Sequence, residues 1–470
     1  MLSFLLAKGQ DTVTVGVAKD PVFTAPLASK NDSAKTIVVE RPKEGMRLKF
    51  NSDGSKYVSF NLWNQIWIRN IEHNPGTLVN GIEQHNTWDV SVRRVGLRMI
   101  ASLSSNYMVV IQTGMNNQSF NTGGTSASAA GKKPSFFIQD AYSEFIIKPA
   151  VDKLTQRPND FYLSMGAGLH GWNGISRLSS PSTTSTITAD VPGFNWASIE
   201  VADQFGRQLG IFAKGMYKQL AYRMHVNKPF AMNLTPSLGG GAVDNNQSGN
   251  PSLGGYFNYQ FGAPKDLTTS FFPGTYLGSK KVINIGAGFY YNKAGTRSQP
   301  QKEVFKNHNI RILAFDFFYD SPIRFLKRGM SLSFNSTFYA YNFGPNYLRS
   351  SSIMNPGTIN PAFEGKTAAE GPGNAVFLMG TGNISYTQVG FVLPRFTSAF
   401  QLQPFISYTY KVMKALKQPG NYYNIGTAFL IDGHKAKIVV EYASRPLYDS
   451  QTSLVFRRAG EFLVMLQVAL

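Results

Sequence analysis

The side chains with the strongest chemical signal in this sequence are its arginines and lysines. Arg93, Arg94 and Arg98 stand in "DVSVRRVGLRMIASLSSNYMVV", and Lys214 and Arg223 flank Lys218-Gln219 in "GRQLGIFAKGMYKQLAYRMHVNKP". Lys411 ends "SAFQLQPFISYTYK", and Lys437 sits inside "NIGTAFLIDGHKAKIVVEY". A guanidinium presents a planar fork of donors that matches phosphate or carboxylate oxygens, and an ammonium is a compact positive charge. Gathered on one surface, such groups bind or guide anions. Catalysis has no comparable signal. The six histidines (His73, His85, His170, His225, His308 and His434) lie far apart without metal-ligand spacing. A Ser-His-Asp site assembled across strands would need a motif that the chain lacks. The expectation is a non-enzyme with no metal and no cofactor.

The elements that must position these cations are strands. Around Asp432-Gly433, a strong hairpin signal, one face carries Phe429, Thr427, Ile425, Ile438, Val440 and Tyr442, and the other carries Ala428, Gly426, Lys437 and Glu441. A two-residue turn at Asp432-Gly433 would set Ala428 opposite Lys437. A turn at Lys218-Gln219 sets Tyr217 opposite Leu220, so that Leu209, Ile211, Tyr222, Met224 and Val226 share a face away from Gln208, Lys214, Arg223, His225 and Asn227. In the Arg93 segment a turn at Ser104–Asn106 puts Val95, Leu97, Met99 and Leu103 outside, leaving Arg94 and Arg98 inside and Arg93 near the rim. Pro404 donates nothing to a ladder and predicts a bulge.

Sixteen such segments follow Tyr57, and their connections alternate long and short. The long ones are 70–86, 116–134, 173–206, 228–254, 292–307, 344–374 and 445–459, with a shorter one at 413–420. Between them fall tight links, of which 263–280 is too long to fit comfortably. Long loops on one side and short turns on the other are the pattern of outer-membrane barrels. A bilayer admits no open sheet edge, so the strands must close, and sixteen leave an aqueous channel. The predicted fold is therefore all-β, a closed antiparallel transmembrane barrel of about sixteen strands in the outer membrane of a Gram-negative bacterium. Residues 51–470 form the barrel, 11–50 a periplasmic lead-in, and "MLSFLLAKGQ" a partial signal-peptide-like segment.

Composition agrees. The 470 residues contain 46 Lys and Arg against 27 Asp and Glu, no Cys, 35 Phe and 22 Tyr. The apolar runs are far shorter than the roughly 20 residues that a transmembrane helix needs. A net charge of +19 calls for an anionic partner or environment. Nucleic acid is disfavoured, because no basic cluster is interleaved with aromatics.

The stretch "DVSVRRVGLRMIASLSSNYMVVIQTG" resembles the second hairpin of the phosphate-selective porin (porin O and P) family. "FFIQDAYSEFIIKP", "FYLSMGAGLHGW", "FGRQLGIFAKGMYKQLAYRMHVNKP" and "TYLGSKKVINIGAGFYYN" follow in that family's order, so the resemblance spans roughly 46–291. It departs at Arg207-Gln208, where the family commonly has Arg-Asp, and at Leu470, where many outer-membrane proteins end in an aromatic residue. The resemblance implies a passive, water-filled, trimeric channel with a basic constriction, and transfers the Arg93-Arg94 motif and Arg207 as family-motif residues. Facing in this sequence adds Arg94, Arg98, Lys214, Arg223, Lys411 and Lys437 as the pore-lining, anion-binding set, opposite Asp140, Glu144 and Glu441. These cations either guide small anionic solutes or only balance those carboxylates. Loop 173–206, rich in Ser and Thr, is expected to fold inward and narrow the pore. The expected partners are outer-membrane lipids, small anionic solutes and further copies of the chain. The competing reading is a barrel acting as an adhesin or as part of a secretion or uptake complex.

Overall fold

The computed structural model describes residues 46–120, 136–152, 155, 159–171, 174–196, 206–262, 271–323 and 329–470. The signal-like segment and nearly all of the lead-in lie outside the described residues.

Sixteen long strands form the wall: β1 (Tyr57–Glu72), β2 (Asn86–Ser104), β3 (Tyr107–Gln118), β4 (Phe137–Lys148), β5 (Phe161–Gly171), β6 (Arg207–Tyr217), β7 (Leu220–Lys228) and β8 (Ser252–Gln260), then β9 (Val282–Gln301), β10 (Val304–Pro322), β11 (Ser331–Asn342), β12 (Gly382–Val392), β13 (Gln401–Met413), β14 (Gly420–Asp432), β15 (Ala436–Tyr448) and β16 (Val455–Ala469). Each pairs antiparallel with the next, and β16 returns to β1 with Trp63 opposite Ala469 and Ile71 opposite Glu461. The sheet is closed. Met46–Lys49 adds a short strand to the start of β1, and Val243–Asp244 pairs with the extended end of β9.

Alternation governs the wall. Leu209, Ile211, Tyr217, Met224 and Val226 are exposed on the outside, whereas Gln208, Lys214, Arg223, His225 and Asn227 are buried within. The Lys218-Gln219 turn is as expected: Tyr217 faces Leu220, with Lys218 at φ 52°. Outside, an apolar band of Ile406, Ile425, Val440 and Val464 lies between aromatic residues: Tyr408, Tyr423, Tyr442 and Phe462 above it, Phe400 and Phe429 below. A cation placed in such a band costs about 2–4 kcal/mol at the membrane midplane, which is the pressure that enforces the pattern.

Four expectations are corrected. The β14–β15 hairpin closes through 433–435 with an irregularity beside Ile431, so Ala428 faces Val439 and Leu430 faces Lys437. This two-residue slip leaves every face unchanged, because side chains alternate with period two. Residues 292–307 are not a loop but the projecting ends of β9 and β10, which turn at Lys302-Glu303. No bulge forms at Pro404. It pairs in step with Thr427 on one side and lies just past the last β12 pair on the other, so its missing N–H breaks no ladder there. Finally, the interior is not simply wet. Tyr290, Ile312, Tyr339, Tyr341, Phe343, Tyr347 and Tyr386 pack inside the barrel against Ile175, Leu178, Val191 and Phe194, and the rings from Tyr339 to Tyr347 stack in series.

Candidate functional site

Segment 174–196, between β5 and β6, lies inside the barrel. It enters at Gly174 in a left-handed conformation (φ 57°) and makes short 3-10 turns at Arg177–Ser179 and Gly193–Trp196. Its middle is a run of Ser and Thr, whose short side chains leave backbone groups accessible to the wall. The wall supplies partners on several sides. Gln65 Nε2 donates to Thr183 O (3.0 Å), Gln467 Nε2 to Thr184 O (2.8 Å) and Lys437 Nζ to Thr186 O (2.9 Å). Opposite, Arg177 N donates to Asp316 Oδ2 (2.9 Å), Tyr339 OH to Asn195 Oδ1 (2.5 Å) and Tyr341 OH to Phe194 O (2.8 Å). A Cβ at Gly288 on β9 would sit 2.1 Å from Ile175 O, so the absence of a side chain there lets the segment rest on the strand.

The candidate cations meet this segment or carboxylates on the wall. Arg93 and Arg94 both bind Asp190 of the inward segment, at 2.8 and 2.7 Å. Arg93 is therefore not at the rim. The β1–β2 register skips it, Gln65 facing Arg94 and Ile66 facing Val92, and this bulge turns two consecutive arginines inward. Burial alone would push the Asp190 carboxyl up, but Arg93 and Arg94 outweigh it and hold the group below its ordinary range. Arg207 grips Asp140 with two hydrogen bonds (2.8 and 3.0 Å), and Arg98 approaches the same carboxylate at 3.8 Å while donating to Gln112. Lys214 pairs with Glu144 at 2.8 Å. Arg223 stacks on Phe272, 3.9 Å from the ring centroid.

Lys411 and Lys437 stand differently. Lys411 Nζ donates to Phe377 O (2.7 Å) and Leu378 O (3.0 Å) and lies 4.2 Å from the Tyr422 ring centroid. Lys437 is 1 % exposed. Neither lies within 4.0 Å of a carboxylate among the described residues. The carboxylate Glu441 also points inward and accepts from Ala189 N (2.8 Å) and Asn424 Nδ2 (2.5 Å).

The link 263–280 explains its own excess length. From Phe271 onward it enters the barrel from the short-turn side and meets the inward segment: Ser182 N donates to Phe272 O (2.8 Å) and Phe272 N to Ser180 O (2.7 Å). Thr275 Oγ1 is held by Asp320 at 2.8 Å, and the Phe271 ring lies under Arg98 and Arg207.

Several inward residues escaped the sequence reading. Arg69 binds Asp89 at 2.6 Å, Arg177 lies 3.9 Å from the Phe318 ring centroid, and Arg445 donates to Glu72 O at 2.7 Å. On β1 the alternation is blurred: Trp67 and Ile71 lie inside beside Gln65 and Arg69, and Asn64 and Asn70 lie outside beside Leu62, Ile66 and Ile68. Arg445 falls in 445–459, most of which is strand rather than loop. Among the described residues no three His, Cys, Asp or Glu side chains gather as metal ligands. The buried histidines serve neighbours, His170 bonding Asn227 and His73 bonding Thr87.

No protein-family profile matches the chain, and no curated protein matches it in sequence. Solved structures do resemble it. OprB of Pseudomonas putida at high pH is 10% identical with a TM-score of 0.50, over 88% of this chain and 94% of that one. OmpF of Salmonella typhi in complex with daunomycin is 11% identical (TM-score 0.48, covering 89% and 99%). An anion-selective porin from Comamonas acidovorans is also 11% identical (TM-score 0.45, covering 88% and 100%). At such identity the OprB likeness speaks to fold alone. It agrees with the closed wall, polar interior and apolar belt, which only a membrane barrel reconciles. The chain is a multi-pass, porin-like β-barrel of a Gram-negative outer membrane.

Proposed function

We propose that this protein is a passive channel for small hydrophilic solutes that prefers anions, phosphate and other oxyanions among them. The observation that carries the reading is the charge inside the barrel. Arg93 and Arg94 share one aspartate, Arg98 and Arg207 share another, and neither Lys411 nor Lys437 has a described carboxylate within 4.0 Å. Each shared set leaves one positive charge over. Such charges lower the energy of a negative ion in a narrow passage, and only those near the constriction act strongly, since the Debye length is about 8 Å at physiological salt. The finer assignments belong to the same reading: 51–470 as the barrel after a periplasmic lead-in, no catalytic role, and a trimer. A tenfold KCl gradient across a planar bilayer tests it. A reversal potential of anion-selective sign is expected, reduced on replacing Arg94, Arg98 and Arg223 by Gln. A potential near zero or of cation-selective sign refutes it.

One observation favours a second reading. Two segments from opposite ends, 174–196 and 271–281, meet inside the lumen, which suits a plugged barrel serving adhesion or a secretion or uptake complex. Stepwise current in the bilayer would exclude it.

A further inference from the structure

Between the inward segment, the 351–378 region and strands β12 to β16 lies a cavity of about 250 Å³. This is below the range of about 300–1,000 Å³ usual for drug-sized ligands, so its occupant is small. Its walls include the rings of Trp67, Phe194, Tyr386 and Tyr422, and two cations, Lys411 and Arg445. The register sets Lys411 opposite Gly420 on β14 and brings Arg445 beside the same strand, with Tyr422 between them.

The polar groups of this cavity are incompletely satisfied. Lys411 has only two backbone carbonyls and Arg445 only Glu72 O and the Asn74 amide oxygen, with no carboxylate within 4.0 Å of either among the described residues. Arg445 Nε and Trp67 Nε1 are buried donors without a partner, and Asn374 Oδ1 is a buried acceptor in the same state. Leaving buried polar atoms unmade is costly, and buried cations without a direct ion-pair partner more so. The carboxylates around the cavity do not pair directly with either cation: Glu370 feels both but accepts from Tyr448 N, with no ion pair to Lys411 or Arg445 within 4.0 Å. Asp190 is committed to Arg93 and Arg94, Glu461 to Arg69, and Glu441 to Ala189 N and Asn424.

We infer that this cavity binds a small aromatic carboxylate. The carboxylate answers Lys411, Arg445 and the Trp67 N–H, while the ring lies among Phe194, Tyr386 and Tyr422. Asn374 Oδ1 accepts from a ring hydroxyl where one is present. This deepens the channel reading by naming a solute class, yet binding does not require an open pore.

The test uses the full-length refolded barrel with 4-hydroxybenzoate, benzoate and inorganic phosphate as separate probes. Isothermal titration calorimetry reads binding, and bilayer current reads conduction. The expected result is saturable binding of 4-hydroxybenzoate, weaker binding of benzoate and no comparable binding of phosphate. Lys411→Gln and Arg445→Gln each weaken it about tenfold or more, Lys411→Arg restores most of it, and Asn374→Leu narrows the gap between the two benzoates. Circular dichroism confirms that each variant keeps its strands, and Trp67→Phe provides a second, milder variant if the charge changes disturb folding. Phosphate binding as tightly as the benzoates would replace the proposal with a simple anion site. Absence of binding to a conducting barrel would overturn it while sparing the channel reading. Binding to a silent barrel would uphold it and refute the channel.

Discussion

Replacing Val440 by Arg is the sharpest test of the face assignment. Val440 sits on the outer face of β15 between Thr427 and Val464, with Tyr442 towards the loops and Ile438 towards the 433–435 turn. That places it in the apolar band, where a cation costs about 2–4 kcal/mol, or roughly 30- to 900-fold in the folding equilibrium. Ile438→Arg lies nearer the turn, level with Phe429, and should cost less, towards the ~1 kcal/mol seen near an interface. Lys437→Ala removes a charged hydrogen bond to one carbonyl of the inward segment, worth about 1.5–3 kcal/mol, but also relieves the desolvation cost of a buried cation without an ion-pair partner, so its net effect is the smallest. Urea titration of refolding into lipid vesicles gives all three free energies. The predicted order is Val440→Arg worst, Ile438→Arg intermediate and Lys437→Ala mildest. If Val440→Arg refolds as well as Lys437→Ala, the outer face has been misassigned and the lumen charges with it.

Three further outcomes follow from the interior. Asp190→Asn leaves Arg93 and Arg94 without their shared counter-charge, so the inward segment should become protease-sensitive and the reversal potential should move further towards anion selectivity; an unchanged potential would count against Asp190 as a constriction charge. Gly288→Ala brings a Cβ to 2.1 Å from Ile175 O and should displace the segment, raising single-channel conductance with the strand content intact. Burial pushes Glu370 from 4.5 up to about 7, against the pull of the Tyr448 N–H, Arg445 and Lys411. A raised carboxyl favours the fold fully below pH 4.5 and loses that contribution as pH rises through 7. Protection of the 368–371 amides, measured as exchange relative to the intrinsic rate at each pH, should therefore fall between pH 5 and 8, and Glu370→Gln should remove that fall.

Much of the wall was legible because the bilayer forbids error in the alternation. Even the two-residue slip in the β14–β15 hairpin left Lys437 inside and Ile438 outside. What stayed hidden depends on contacts between distant segments. The Arg93 bulge reads as ordinary strand, since an extra residue leaves no mark in the composition. Asp190 carries no signal of its own; only the folded loop brings it 96 residues back to Arg94. The inward course of 271–281 showed only as an excess of length, and on β1 Trp67 and Ile71 blur the pattern because they face the packed interior. Alternation identifies lumen-facing positions but not which of them a plug will cover, so the candidate cations were found without their partners.

The seam where β16 meets β1 is bridged from within. Gln65 and Gln467 bond each other across it at 2.8 Å, and each also donates to one of two consecutive carbonyls of the inward segment, Thr183 and Thr184. The segment thus acts as an internal clasp on the last joint to be made. These paired contacts exist together only when first and last strands are side by side, so the seated segment adds to the stability of ring closure. A barrel opened at this seam, in an assembly machine or under force, would lose one edge of the clasp while Arg93, Arg94, Asp316 and Tyr339 still hold the rest of the segment.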